Sequence, residues 1–296
     1  MGYLCLRNFV IFFEEKEGTT PLIHLLEQFQ QISIVRQSGK QEPFDEHVCG
    51  PMTQANLRSC LELIFNDQPA DMDALNEVYT TTAKEPLESF DKATSVGFKM
   101  RFVPKKLQSG PFAKIWPFGK WQSRRAKQAY RRMMLDLLSK YDVVVFMAVR
   151  QDIFRWALSK YHGDGTGKPG HLQFHLATGK ISKDDLRKIH VDAGNFGALL
   201  RKCEQSHARK RKLMTDLQAR GVVVQPICYE DFLADKPAYF RNLLHALEID
   251  LSAKEIKSVI DEGTYFKKVH SEDISEFVEN HVEVIRKFGD RFVTWH

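Results

Sequence analysis

Seven consecutive apolar residues, Val143-Val144-Val145-Phe146-Met147-Ala148-Val149, stand between Asp142 and Arg150. The run has no polar–apolar alternation, is short for a helix, and is rich in β-branched side chains. Such a strand must be covered on both faces, which places it inside a parallel sheet with helices on either side. Asn8–Phe13 repeats the signal, and Ile32–Val35, Val96–Phe102 and Val222–Ile227 are three more candidate strands. Helical patterns run between them: Pro21 onward (Leu22, Leu25, Leu26, Phe29), Thr53–Phe65, Asp71–Glu77, Arg124–Tyr141 and Ile153–Tyr161. Further helices are expected over Lys183–Arg220, Lys236–Leu247, Ala253–Glu262 and Glu272–Phe288. Pro104–Trp121 reads as a surface excursion and His162–His171 as a glycine-rich loop. Strands alternating with helices predict an α/β fold. Ligands of such sheets bind beyond the carboxyl ends of the strands, so the loops after Phe13, Val149 and Ile227 carry the expected site.

Composition narrows the function classes. With 296 residues, and neither a linker nor an internal repeat, the chain reads as one domain. The net charge of +5 suits a small anionic ligand without demanding nucleic acid. The densest basic run, Arg201–Lys212, reads as one solvated helix face. Cysteines 5, 49, 60, 203 and 228 have no metal-ligand spacing, and free thiols in a reducing compartment are the simplest account. No apolar run reaches the ~18–20 residues of a membrane span, and Met1–Arg7 lacks a signal-peptide pattern. A cytoplasmic protein with no membrane span and no nucleic-acid partner is expected.

Lys16-Glu17-Gly18-Thr19-Thr20 falls between the first strand and its helix. Backbone N–H groups at a helix start, together with the helix dipole, favour an anion there. Gly18 permits close approach, the threonines offer hydroxyls, and Lys16 offers a mobile charge. A charged turn capped by threonines fits the same spacing. The Walker pattern G-x-x-x-x-G-K-[ST] is absent, and in Gly163–Gly170 Lys168 is followed by Pro169.

The loop is similar to the 5′-phosphosulfate loop of sulfotransferases that use 3′-phosphoadenosine-5′-phosphosulfate (PAPS), whose common form is Pro-Lys-Ser-Gly-Thr-Thr. Here Glu15 and Glu17 replace the proline and the serine, which puts two acids beside an anion site; pairing with Lys16 and pointing away are the two ways to accommodate one of them. The resemblance implies that Lys16 stabilises the leaving phosphate, and that Glu17, Gly18, Thr19 and Thr20 cradle the donor. Arg150, with Ser159 nine residues later on the following helix, resembles the family's 3′-phosphate site. That nine-residue spacing looks most like the trehalose-type carbohydrate sulfotransferases. Tyr229-Glu230-Asp231-Phe232-Leu233 resembles the family's Tyr-Glu-Asp-Leu segment, with an architectural role and Tyr229 as an adenosine neighbour. Lys267 and Lys268 fall where relatives carry a basic stretch over the 3′-phosphate, but the family's usual Arg-Lys-Gly is absent, and surface lysines are the simpler account.

The same resemblance bears on the proton acceptor. Glu42-Pro43-Phe44-Asp45 looks like a Glu-Pro-x-Glu segment whose second acid is the base, which points to Asp45 or the adjacent Glu46. His47 is a further candidate because its ordinary pKa lies near neutrality. Lys99 resembles a strand lysine near the active site, with an exposed pairing role as the alternative; His24, inside the first helix, reads as packing. The implied fold is a P-loop-NTPase-like parallel sheet flanked by helices, a single sulfotransferase domain. Acceptor-side insertions are expected around 44–95, 103–122 and 162–195, with Trp116, Phe118 and Trp121 available to stack on a sugar or pack on a neighbouring subunit. The implied donor is PAPS, the product is 3′-phosphoadenosine-5′-phosphate (PAP), the acceptor is a carbohydrate or small-metabolite hydroxyl, and no metal is required. A kinase-like nucleotide enzyme of related fold and a non-catalytic nucleotide-binding or interaction module remain as alternatives.

Overall fold

A computed structural model describes residues 7–50, 52–66, 71–91, 94–102, 118–165, 188–263, 273–289 and 291–295. Five parallel strands, β1 (Asn8–Phe12), β2 (Ile32–Ile34), β3 (Ser95–Met100), β4 (Val143–Val149) and β5 (Val224–Cys228), form one sheet in the order β2-β3-β1-β4-β5. β1 lies between β3 and β4, with Val10 opposite Phe98 and Val145. Every residue of β3 and β4 is buried, as unalternating apolar strands require. Gly97 of β3 is needed for close packing: an added Cβ would come within 2.1 Å of the Phe9 ring.

The side-chain alternation of the strands divides the core into two faces. Phe9 and Ile11 point one way with Val144 and Phe146, and pack against α1 (Thr19–Leu26), α9 (Lys236–Ala246) and α10 (Ala253–Glu262). Val10 and Phe12 point the other way with Val145 and Met147. They meet α3 (Gln54–Phe65), α4 (Met72–Tyr79), α5 (Phe118–Lys140) and the second half of α7 (Ala193–Gln218). α6 (Ile153–Gly165), the first half of α7 and α11 (His281–Phe288) enclose a smaller cluster around Trp156 and Phe196. Two further helices are short, α2 (Glu46–Cys49) and α8 (Tyr229–Ala234). This is the expected α/β class, a central parallel sheet flanked by helices.

Several boundaries differ from the sequence-based expectation. α5 begins at Phe118, so the end of the expected excursion is helical; residues 103–117 lie outside the described set. α6 continues through His162, which is buried, to Gly165, although a helical glycine costs roughly 1 kcal/mol; the rest of the expected loop lies outside the described set. β5 starts two residues late: Val222 is bonded back to Leu217, and Val223 is exposed. Residues 188–192 are not helical and α7 starts at Ala193, capped by the Asp192 side chain; the expected helix before Lys188 lies outside the described set. The segment expected as one helix over Glu272–Phe288 is a 3-10 turn (Ile274–Glu276) followed by α11.

Among the described residues no helix is long and apolar enough to cross a membrane, and no cluster of metal-binding side chains occurs. The four described cysteines are free and buried, and Cys5 lies outside the described set. The basic run on α7 is not uniformly solvated. Arg201, Lys202, Arg209, Arg211 and Lys212 are exposed, whereas Lys210 is buried.

Candidate functional site

β1 ends beneath a tight turn, Glu14–Gly18, and α1 starts at Thr19. Two residues of the turn are left-handed, Lys16 (φ 66°) and Gly18 (φ 78°). For lysine this conformation costs roughly 1 kcal/mol, so the surroundings must hold it. Trp156 Nε1 donates to the Glu15 carbonyl at 2.9 Å, and Arg150 Nη1 to the Lys16 carbonyl at 3.3 Å. Glu17 folds back to accept the Glu14 N–H at 2.7 Å. Gly18, the N-cap of α1, offers no side chain to the helix start, so the first N–H groups of α1 remain without a side-chain cap.

Neither glutamate pairs with Lys16. Glu17 is turned inward: its carboxylate meets Lys210 Nζ at 2.5 Å, and the same ammonium donates to the Ala148 carbonyl of β4 at 2.5 Å. Burial pushes the Glu17 carboxyl up, and the Lys210 charge works against that shift. Glu15 points outward to Arg101 at 2.9 Å. Glu14 binds Ser206 and Lys160; burial alone would raise its carboxyl, but the Ser206 bond and the Lys210, Lys160 and Arg209 charges outweigh burial and hold it low. Among the described residues Lys16 makes no ion pair.

Arg150 leaves the end of β4 and lies over the Tyr229 ring, 4.9 Å from its centroid. Among the described residues its Nε is buried without a hydrogen bond, with Glu230 Oε1 3.9 Å away. Burial pushes the Arg150 guanidinium down, and Tyr229 and Glu230 oppose the shift. The Tyr229 ring covers Gly18 so closely that an added Cβ would sit 2.2 Å from its Cδ2. Glu230 accepts the backbone N–H groups of Gln151 at 2.9 Å and Asp152 at 3.2 Å, which braces the turn that carries Arg150. Ser159 is half-buried on α6 and shares no hydrogen bond with Arg150 among the described residues.

β3 brings the acid-rich segment to the same place. Lys99 is buried and reaches Thr20 Oγ1 at 3.2 Å and Glu42 Oε1 at 3.0 Å. Burial pushes its ammonium down, and Glu42 pulls it back up. Arg101, two residues on, holds Asp45 at 3.2 Å as well as Glu15. Glu46 and His47 follow on α2. Lys267 and Lys268 lie outside the described residues, as does Trp116. His24 is not packing: its side chain is 41% exposed, 3.7 Å from Glu27.

Four contributors were not assigned from sequence. Lys210 lies on the stripe of α7 that includes Cys203, Ser206, His207, Leu213 and Leu217, all buried. Its place on that stripe was the available signal. Trp156 carries no sequence mark beyond its size. Glu42 was quoted only as the first acid of its segment. His162 is buried at the continuation of α6; burial lowers its pKa, and the nearby charge of Lys16 lowers it further.

Fold and site together define a class: an α/β protein with a cationic, uncapped turn between β1 and α1 and no Walker sequence. No protein-family model matches the chain, and no curated protein matches it. Among solved structures the chain is similar to a sulfotransferase from Alicyclobacillus acidocaldarius, at 13% identity and a TM-score of 0.41, over 96% of this chain and 91% of that one. It is also similar to a sulfotransferase from Mycobacterium avium, at 13% identity and a TM-score of 0.39, over 98% and 78% of the two chains.

Proposed function

We propose that the protein transfers a sulfuryl group from PAPS to a hydroxyl of a carbohydrate or small metabolite. The observation that carries this reading is the α1 N-terminus, without a side-chain cap at Gly18, with Lys16 two residues before it and Arg150, whose Nη1 donates to the Lys16 carbonyl, beside it. Those donors suit the two anionic ends of the nucleotide, the 5′-phosphosulfate at the turn and the 3′-phosphate at Arg150. The acceptor oxygen forms a bond to sulfur as the sulfur–oxygen bond to the 5′-phosphate breaks. PAP leaves with the electron pair. Lys16 and the helix-start N–H groups stabilise the charge that develops on it. The acceptor proton goes to the segment after β2, to Asp45, Glu46 or His47. Lys99, buried against Thr20, adds positive charge beneath the turn. Residues around 44–95, 103–122 and 162–195 form the acceptor side, and free buried thiols suit a cytoplasmic setting.

The two glutamates do not disqualify the site, because Arg101 and Lys210 neutralise them. The test is calorimetric titration with PAP, with 5′-AMP and ATP as comparisons, followed by turnover of PAPS. PAP is expected to bind much more tightly than 5′-AMP. Lys16→Ala is expected to keep the fold and lose about 10²–10³-fold in kcat, the cost of removing one such donor. Preference for ATP, or a fully active Lys16→Ala protein, would overturn the reading.

A further inference from the structure

We infer that Lys210, on a helix remote in sequence from the turn, is a positioning residue for the donor's 5′-phosphate: it sets the shape of the Glu14–Gly18 turn through Glu17 without touching the ligand. The inference rests on the reading of that turn as the donor site.

One ammonium joins three segments. It meets the Glu17 carboxylate at 2.5 Å, donates to Ala148 of β4 at 2.5 Å, and is carried by α7. Glu17 in turn closes the turn by accepting the Glu14 N–H. The Glu17 side chain has no solvent exposure and that of Lys210 has 8%. Glu17 stands between the two left-handed residues, so fixing its side chain fixes the backbone on both sides. The Trp156 ring lies 5.7 Å from Lys210 Nζ while its indole N–H holds the Glu15 carbonyl, so the turn is gripped from the same direction twice.

Stability alone is a poor account of this pair. A buried ion pair gains little over well-packed apolar residues, because desolvation offsets the attraction. What the pair does supply is a fixed direction: an ammonium with three donors can hold a carboxylate and a carbonyl at once, whereas an apolar side chain would leave the turn free to relax. Lys16 in a relaxed turn would lose the left-handed conformation it now holds at a cost.

The experiment compares affinities for PAP and for adenosine 3′-monophosphate, which differ by the 5′-phosphate, in four proteins: wild type, Lys210→Met, Lys210→Arg, and the charge-free double variant Glu17→Gln/Lys210→Met. Circular dichroism checks the fold of each. In the wild type the 5′-phosphate is expected to add about ten- to a hundredfold in affinity, the worth of one charge-assisted hydrogen bond. Lys210→Met and the double variant are expected to lose most of that factor while binding adenosine 3′-monophosphate as before, and Lys210→Arg to recover much of it. The double variant leaves no unpaired buried charge, so it keeps the test open if Lys210→Met fails to fold. Equal loss for both ligands, or no loss for either, would overturn the positioning role. A wild type indifferent to the 5′-phosphate would instead remove the reading of the turn, and this inference with it.

Discussion

The two flanks of the Glu14–Gly18 turn are built from the same residue types in opposite surroundings. On the α7 flank Glu17 is fully buried against Lys210, and the Trp156, His207 and Trp295 rings pack at steep angles to one another behind it, with centroids 5.3 Å and 5.2 Å apart in succession. On the β3 flank the Glu15 side chain is 47% exposed, and its partner Arg101 is shared with Asp45. An exposed pair is screened by water and contributes about 0–1 kcal/mol, whereas breaking a buried one by removing a single partner costs about 3–5 kcal/mol. The dry flank therefore fixes the shape of the turn. On the β3 flank the Glu15 carboxylate faces water and can rearrange at little cost, whereas Arg101 and Asp45 are mostly buried.

Acid should break the dry flank first, and by the largest margin. His207 accepts the Trp295 indole N–H at 2.9 Å. Burial, and then the charge of Lys210, push its pKa down to about 4 from an ordinary 6.5, with Arg211 adding to the shift and Glu14 opposing it. Because the folded pKa is depressed, His207 contributes its full stability above pH 6.5, and the contribution is lost as pH falls from there through about 4. The whole loss is about 3 kcal/mol at 1.36 kcal/mol per pH unit. Urea midpoints measured between pH 7 and pH 4 should fall less steeply for His207→Phe, which keeps the ring packing, than for the wild type. Parallel curves would show that the histidine is no more buried in energy than Glu15.

Gly18 joins the two flanks, and Gly18→Ala should cost less. The left-handed conformation charges alanine roughly 1 kcal/mol. The new Cβ must also displace the Tyr229 ring on which Arg150 rests. A total of about 1–3 kcal/mol, read as a Tm shift, is expected, with much weaker PAP binding. Adding Tyr229→Ala should recover the part due to the clash and leave the backbone part. Full recovery would mean that the φ of 78° carries no strain.

The parts of this arrangement that were legible in sequence are those that a local pattern encodes. β4 was legible because an unbroken apolar run admits few other conformations, and the turn because a strand, Lys16-Glu17-Gly18 and an apolar helix follow one another. Tyr229 and Arg150 come together, as a shared ligand would require, but their stacking on Gly18 is a three-body contact that no spacing announces. The Glu17–Lys210 pair spans 193 positions in the chain. Its sole local trace is that Lys210 falls on the apolar stripe of α7, and the five exposed cations around it made that stripe read as solvated. Helix ends are where the sequence pattern and the structure part, as at α6, which continues past Tyr161 to Gly165.

The smallest expected effect sharpens the comparison most. In Glu15→Gln, Arg101 keeps Asp45 at 3.2 Å and stays 5.4 Å from the Phe13 ring centroid, so it is not orphaned by the change. Stability should change by less than about 1 kcal/mol, within the range of an exposed pair. Ligand binding should move in the favourable direction, because a negative charge is removed beside a bound anion. PAP affinity is expected to rise a fewfold at low salt, with the gain shrinking as ionic strength shortens the screening length to about 8 Å at 0.15 M. The matched measurement is Glu17→Gln, where the same isosteric change strands the Lys210 ammonium in a dry site and should cost several times more stability. If the two glutamines proved equally harmful, burial would not be what separates the flanks, and the division of labour between a fixed side and an adaptable side would have to be abandoned.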